Sequence, residues 1–163
     1  MTERIVADYR ELAPRLEEER TGRRSIALAN GCFDILHVGH IRMLAEARGL
    51  ADVLVVALNT DQSVRESKGE GRPFVPLEER MEIIAALRGI DYVTSFPEAT
   101  AAPLIEALKP DLQVKGTDRD LDTGPEREIV ERHGGRIVFC GDPKTHSSRA
   151  LAAPWKPGFL RIS

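Results

Sequence analysis

The strongest constraint on the fold is the run Val-Leu-Val-Val-Ala-Leu at 53–58, six apolar residues without a polar interruption. That is the pattern of a parallel strand covered on both faces, since a strand with one wet face would alternate. Shorter strand-like stretches stand at 26–29, 92–96, 112–114 and 137–140, and segments of helical period lie between them. One helix continues through Ile41, Leu44 and Ala45. A second opens at Pro76, carries Leu77, Met81, Ile84 and Leu87 on one stripe, and is stopped by Gly89. A third runs from about Thr100 to Lys109 and is closed by Pro110; a fourth spans Pro125 to His133 and ends at Gly134-Gly135. Five strands alternating with helices imply an α/β fold, a doubly wound, Rossmann-like five-stranded parallel sheet with right-handed crossovers. Its ligand belongs beyond the carboxyl ends of the strands, where the strand order reverses.

Before the first of these strands, Ile5, Tyr9, Leu12 and Leu16 recur at helical spacing, with Pro14 expected to break or restart the helix. Residues 1–22 therefore read as an appended helical cap, 23–153 as the single α/β domain and 154–163 as a tail. The segment Asp61 to Pro73 is polar, contains glycine and is basic at Arg65, Lys68 and Arg72, which reads as a mobile loop. In 163 residues with 42% apolar and 30% charged content there is room for one core. A net charge of −3 gives no electrostatic case for a nucleic-acid partner. No stretch approaches membrane-spanning length and the amino terminus has no apolar signal region, so a cytoplasmic protein without a membrane partner is expected. Cys32 and Cys140 are too few for a disulfide framework.

The chemistry concentrates at Asn30-Gly-Cys-Phe-Asp-Ile-Leu-His-Val-Gly-His40, between the strand at 26–29 and the helix that follows. A helix amino terminus offers unpaired N–H groups and the positive end of the helix dipole, which favour a phosphate. Gly31 and Gly39 permit close backbone approach, and His37 and His40, three apart, can face one ligand. Two other readings of the histidines stand beside this one: a zinc site with Cys32, and plain helix capping.

The motif resembles the HxGH signature of the nucleotidyltransferase superfamily, in its cytidylyltransferase-like branch. Asn30–His40, 54–61, Lys68-Gly69, 76–80 and 114–116 together resemble the heptose-1-phosphate adenylyltransferases, in ordered blocks over about 23–152. The resemblance implies His37, His40 and Lys68 as catalytic residues. It implies nucleotide binding by Gly31, Cys32, Phe33, Gly39, Arg42, Lys115, Gly116, Asp118, Ser147 and Ser148. It also implies contact with the acceptor substrate at Asp34, Asp61, Arg80, Thr117 and Arg119. The expected substrates are ATP, with Mg²⁺, and a sugar phosphate, heptose 1-phosphate, giving an ADP-sugar and pyrophosphate for surface polysaccharide. A homodimer is expected, as is a separate kinase to supply the acceptor.

Plainer readings accompany several of these residues. Asp34 suits an Asx-turn or helix cap, Arg42 and Lys68 suit solvated charges, Arg80 suits a structural salt bridge, and Ser147 and Ser148 suit N-caps. Cys32 reads as a small buried residue contributing its N–H rather than its sulfur. The chain departs from its relatives at Thr117, where a second glycine is usual, at Arg119, where an aromatic is usual, and at His146, where a hydroxyl residue is usual. The first two changes point to an altered acceptor pocket. A cytidylyltransferase for glycerol 3-phosphate and a nucleotide-binding regulatory module remain as alternatives. The chain shows no obvious Ser or Cys nucleophile paired with a base, which suits a reaction in which the acceptor phosphate itself attacks.

Overall fold

The structure, a computed structural model, describes residues 2–117, 124–142 and 151. Six strands alternate with six α-helices in the order β1 (Ile5–Asp8), α1 (Tyr9–Thr21), β2 (Ile26–Gly31), α2 (Val38–Leu50), β3 (Val53–Asn59), α3 (Asp61–Lys68), α4 (Leu77–Ala85), β4 (Tyr92–Phe96), α5 (Ala102–Leu108), β5 (Leu112–Gly116), α6 (Gly124–Arg132) and β6 (Arg136–Cys140). They form one parallel sheet of order β1-β4-β3-β2-β5-β6. The apolar run at 53–58 is β3, with all six residues fully buried. It is in register with β2 from Ile26↔Val53 to Gly31↔Leu58.

Alternate residues of the central strands feed two cores, as the two-residue period of a strand requires. Ala27, Ala29, Leu54, Val56 and Leu58 pack with Leu44 and Ala47 of α2 and Met81 and Ile84 of α4. Ile26, Leu28, Val53, Val55 and Ala57 pack with Leu12 and Leu16 of α1, Leu104, Ile105 and Leu108 of α5, and Val130 of α6.

The strand count is six, not five. Ile5–Asp8 pairs in parallel with β4, in register at Ile5↔Val93 and Asp8↔Ser95, and makes a short edge strand. The amino-terminal segment is thus built into the sheet and the core rather than appended. Helix α1 also runs straight through Pro14. Its start is fixed by Asp8, whose carboxylate accepts from Arg10 N at 2.8 Å, and burial of Tyr9, Leu12 and Leu16 offsets the hydrogen bond that the proline withholds. A second correction concerns 61–73. Eight of these residues, Asp61–Lys68, form α3, capped by Thr60, whose hydroxyl accepts from Ser63 N at 3.4 Å. A polar sequence with one buried flank, Ser63 and Val64, suffices for a helix lying on the protein surface.

From β2 the chain proceeds outward through β3 to β4, and from β5 outward to β6, so the order reverses between β2 and β5. Because every strand is parallel, the loops after β2, β3 and β5 leave the same edge of the sheet. The ligand crevice of a doubly wound fold lies there.

Candidate active site

The connection from β2 to α2 carries the signature residues. Phe33 is buried and adopts φ 47°, a left-handed conformation that costs a bulky residue energy and marks a loop held in shape by its surroundings. His37 is the N-cap of α2. His40 folds back on it: His37 N–H donates to His40 Nδ1 at 3.3 Å, and the two rings lie 3.9 Å apart with 32° between their planes. In that bond His40 Nδ1 is the acceptor, which makes Nε2 the donor side of the ring. Phe33 supports the same ring at 5.2 Å.

Gly39 has a specific role in this pair. A Cβ there would lie 3.0 Å from Cε1 and Nδ1 of His37, so any other residue would push the imidazole aside. The glycine between the histidines makes room for a side chain of this chain as well as for a ligand. Gly31 has a smaller version of the same contact, 3.3 Å to the Phe33 ring. Cys32 is half-buried; its Sγ donates to Asn59 Oδ1 at 3.7 Å.

Two buried charges shape the floor beneath the histidine loop. The Asp34 carboxylate has no exposed side-chain surface and accepts from Arg72 Nε at 2.7 Å, Phe74 N at 2.8 Å and Val75 N at 3.0 Å. Its employment is to bind the segment between α3 and α4 to the signature loop, and the Arg72 guanidinium in turn lies over the Phe74 ring. Arg80, on the first turn of α4, is the largest fully buried side chain. Its Nε donates to Val75 O at 2.9 Å, its Nη1 to Cys32 O at 2.6 Å and Asn59 O at 3.0 Å, and its Nη2 to Asp61 at 2.7 Å. A rigid fork of donors is suited to joining three backbone segments at once. The resemblance implies substrate contact for both Asp34 and Arg80; in the structure both hold the loops of the site together. Asp61 pairs with Arg80 and keeps about a third of its side chain exposed.

The remaining expected residues divide. Lys68 ends α3 and is exposed, and Arg42 is exposed on α2 where it pairs with Asp142. Lys115 is buried and forms an ion pair with Glu126 of α6. Gly116 ends β5, and the Thr117 hydroxyl donates to Asp142 O at 2.5 Å. Asp118, Arg119, His146, Ser147 and Ser148 lie outside the described residues. Among the described residues no group of three His, Cys, Asp or Glu could hold a metal ion. Sequence reasoning missed Arg72, Asn59 and Glu126 as partners, because each meets its counterpart from a distant segment.

Residues 28–144 match the model of a family described as cytidylyltransferase-like. Among curated proteins, the bifunctional protein HldE of Citrifermentans bemidjiense is 50% identical over 126 residues, 77% of this chain and 26% of that protein. The HldE of Desulfatibacillum aliphaticivorans is 48% identical over 141 residues, 86% of this chain and 29% of that protein. The chain thus spans less than a third of the length of these two relatives. Among solved structures, the lipopolysaccharide core biosynthesis protein from Thermoplasma volcanium is 28% identical, with a TM-score of 0.65 over 74% of this chain and 99% of the other.

Proposed function

The chain belongs to the cytidylyltransferase-like family, and on that premise we propose that it transfers AMP from ATP to a sugar 1-phosphate, heptose 1-phosphate, giving ADP-heptose and pyrophosphate. The observation that carries this reading is the His37–His40 pair, packed ring against ring at the amino end of α2 beside the reversal of strand order. The extent of identity to the HldE proteins supports an adenylyl rather than a cytidylyl donor. The likeness to the lipopolysaccharide core biosynthesis protein of Thermoplasma volcanium supports a product destined for surface polysaccharide.

In the reaction an oxygen of the sugar phosphate attacks the α-phosphorus of ATP. A new P–O bond forms, the bond from the α-phosphorus to the bridging oxygen breaks, and pyrophosphate leaves with the electron pair. A phosphate monoester with a second pKa near ~6 is mostly ionised at neutral pH, so no general base is required. What the protein must supply is alignment and charge neutralisation. The Nε2 proton of His40 and the His37 imidazole, at the positive end of α2, donate to phosphate oxygens whose charge grows as the bond breaks. Lys68 adds a mobile cation from the end of α3. Mg²⁺ would enter with the triphosphate: the Asp34 carboxylate is already occupied by three donors and Asp61 by Arg80, so the described residues build no cage for it. We further propose a cytoplasmic reaction and a homodimer as its working form. Among the described residues no helix is long and apolar enough to cross a membrane.

The test is a pyrophosphate-release screen of ATP, CTP, GTP and UTP against a panel of sugar and polyol phosphates. ATP with heptose 1-phosphate should give the highest kcat/KM. CTP with glycerol 3-phosphate as the best pair would replace this reading with the cytidylyl one, and nucleotide binding without pyrophosphate from any pair would make the chain a binding module.

A further inference from the structure

Gln113 sits in the middle of β5 with no exposed surface. Its neighbours Leu112 and Val114 belong to the core under α2 and α4, so Gln113 faces the opposite side, under α5 and α6. A buried amide in a strand otherwise lined by apolar residues is costly unless it is hydrogen-bonded. Among the described residues its side chain makes one such bond, from Nε2 to Asn30 Oδ1 at 2.6 Å, and its own carbonyl oxygen has none. Asn30 shares the face of Leu28, stands one residue before the end of β2, and is half-buried at the mouth of the crevice between β2 and β5. It is the one polar residue in β2, where Ile26 to Ala29 are fully enclosed.

The pairing has a chemical consequence. Gln113 takes one lone pair of Oδ1 and turns the Nδ2 donor outward, and the described residues supply no acceptor for Nδ2. A satisfied apolar pair would serve the sheet better than this half-satisfied one, so its value lies in what it presents to the crevice. We infer that Asn30 is a specificity-determining residue: oriented by Gln113, its Nδ2 donates to a hydroxyl or carbonyl oxygen of a phosphorylated sugar bound at the β2–β5 crevice. Two ligands carry that chemistry, the nucleoside triphosphate and the acceptor sugar phosphate. The inference rests on the proposed transferase reading, because that reading puts both in this crevice.

The experiment compares native protein with Asn30→Asp, Asn30→Ala and Gln113→Met. Calorimetric Kd values are measured for ATP and for heptose 1-phosphate separately, together with KM and kcat from pyrophosphate release and the melting temperature. Asn30→Asp keeps an oxygen for Gln113 and replaces only the outward donor. Expected is a tenfold or greater rise in Kd and KM for one of the two ligands in both Asn30 variants, with kcat within threefold of native. The ligand affected identifies the source of the oxygen. Gln113→Met, which leaves Asn30 in place but unoriented, should raise the same constant by a smaller factor. Native affinity for both ligands in both Asn30 variants, with only the melting temperature lowered, would reduce the pair to a structural contact and overturn the inference. So would an equal rise for both ligands in Asn30→Asp with none in Asn30→Ala, which is the effect of added negative charge alone. A native chain that binds neither ligand would remove the transferase reading, and this inference with it.

Discussion

The two edges of the sheet use the same residue types to opposite ends. At the amino edge, carboxylates close the strand starts: Asp111 accepts from Ile26 N at 2.7 Å, Asp91 from Leu54 N at 2.8 Å, and Asp52 from both the N–H and the hydroxyl of Ser25 at 2.8 Å. Arg48 then ties the end of α2 to this edge through Ala51 O at 3.0 Å and Asp52 O at 2.7 Å. At the carboxyl edge, Asp34 and Arg80 also bond to backbone, but they span loops rather than strand starts, and the groups they position are two histidines at a helix amino terminus. The amino edge ties its strand starts to carboxylates; the carboxyl edge uses its charges to hold loops around the histidine pair. The same charge chemistry therefore closes strand starts at one edge and holds the loops in place at the other, where the crevice of a doubly wound sheet lies.

The comparison is broken most severely by Arg80→Met. Removing a buried guanidinium leaves three carbonyls and Asp61 without their donor, and should cost about 3–5 kcal/mol of stability, read as a lower denaturation midpoint, with turnover lost as the loops separate. Unchanged stability would mean that the clamp is not what holds this edge together. Next in size, His37→Ala or His40→Ala should lower kcat about 10²-fold, the scale of one preorganised donor, while the melting temperature stays within a few degrees of native. If both variants turn over normally, the histidine pair has no part in the chemistry.

The amino edge should behave in the reverse manner. Asp91→Asn weakens a charge-assisted bond to the start of β3 and should lower stability by about 1 kcal/mol with kcat/KM unchanged; a catalytic defect as large as that of the histidine variants would erase the distinction between the edges. Lys68→Ala, by contrast, should raise KM for ATP without moving the melting temperature, because an exposed lysine contributes little to the fold. The smallest effect concerns pH. Donation from Ser25 N–H and hydroxyl holds the Asp52 carboxyl below its ordinary value, so its contribution is present above the unfolded value near ~4 and fades as pH falls through the lower folded one. The melting-temperature gap between native protein and Asp52→Asn should accordingly narrow between pH 6 and pH 2.5. Cys140 offers a control on burial: desolvation, with a smaller push from Glu46, raises its thiol to about 11, so it should resist alkylation at pH 8 in the folded chain.

Much of the fold was legible because its signals are local. Continuous apolar runs marked β2 and β3, and the strand-like Tyr92–Phe96 marked β4, to within two residues, while Pro76, Pro110 and the Gly134-Gly135 pair marked helix boundaries close to the observed ones. The motif from Asn30 to His40 placed the histidines at a helix start, where they are. The readings that did not carry through share one reason: their signal lies in distant neighbours. Ile5 and Val6 look like the first turn of a helix until β4 is beside them, and four residues at a sheet edge have too little pattern to announce a strand. The polar stretch after Thr60 hid α3, whose buried flank is only Ser63 and Val64.

For the site, the sequence by itself determined the residue types and their spacing: two imidazoles three apart, a glycine between them, and the parallel α/β alternation that sends the loops after β2, β3 and β5 to one edge. Tertiary structure alone decided which charges are enclosed by partners and which are left in solvent. Arg80 and Lys68 are both cations near acidic neighbours in the sequence, yet one is fully enclosed with four acceptors and the other lies in solvent at the end of α3. Local propensity cannot separate them, because the energy of a charge is set by the groups around it. For Arg80 those groups come from residues as far as 48 positions away, brought together only when the sheet has formed.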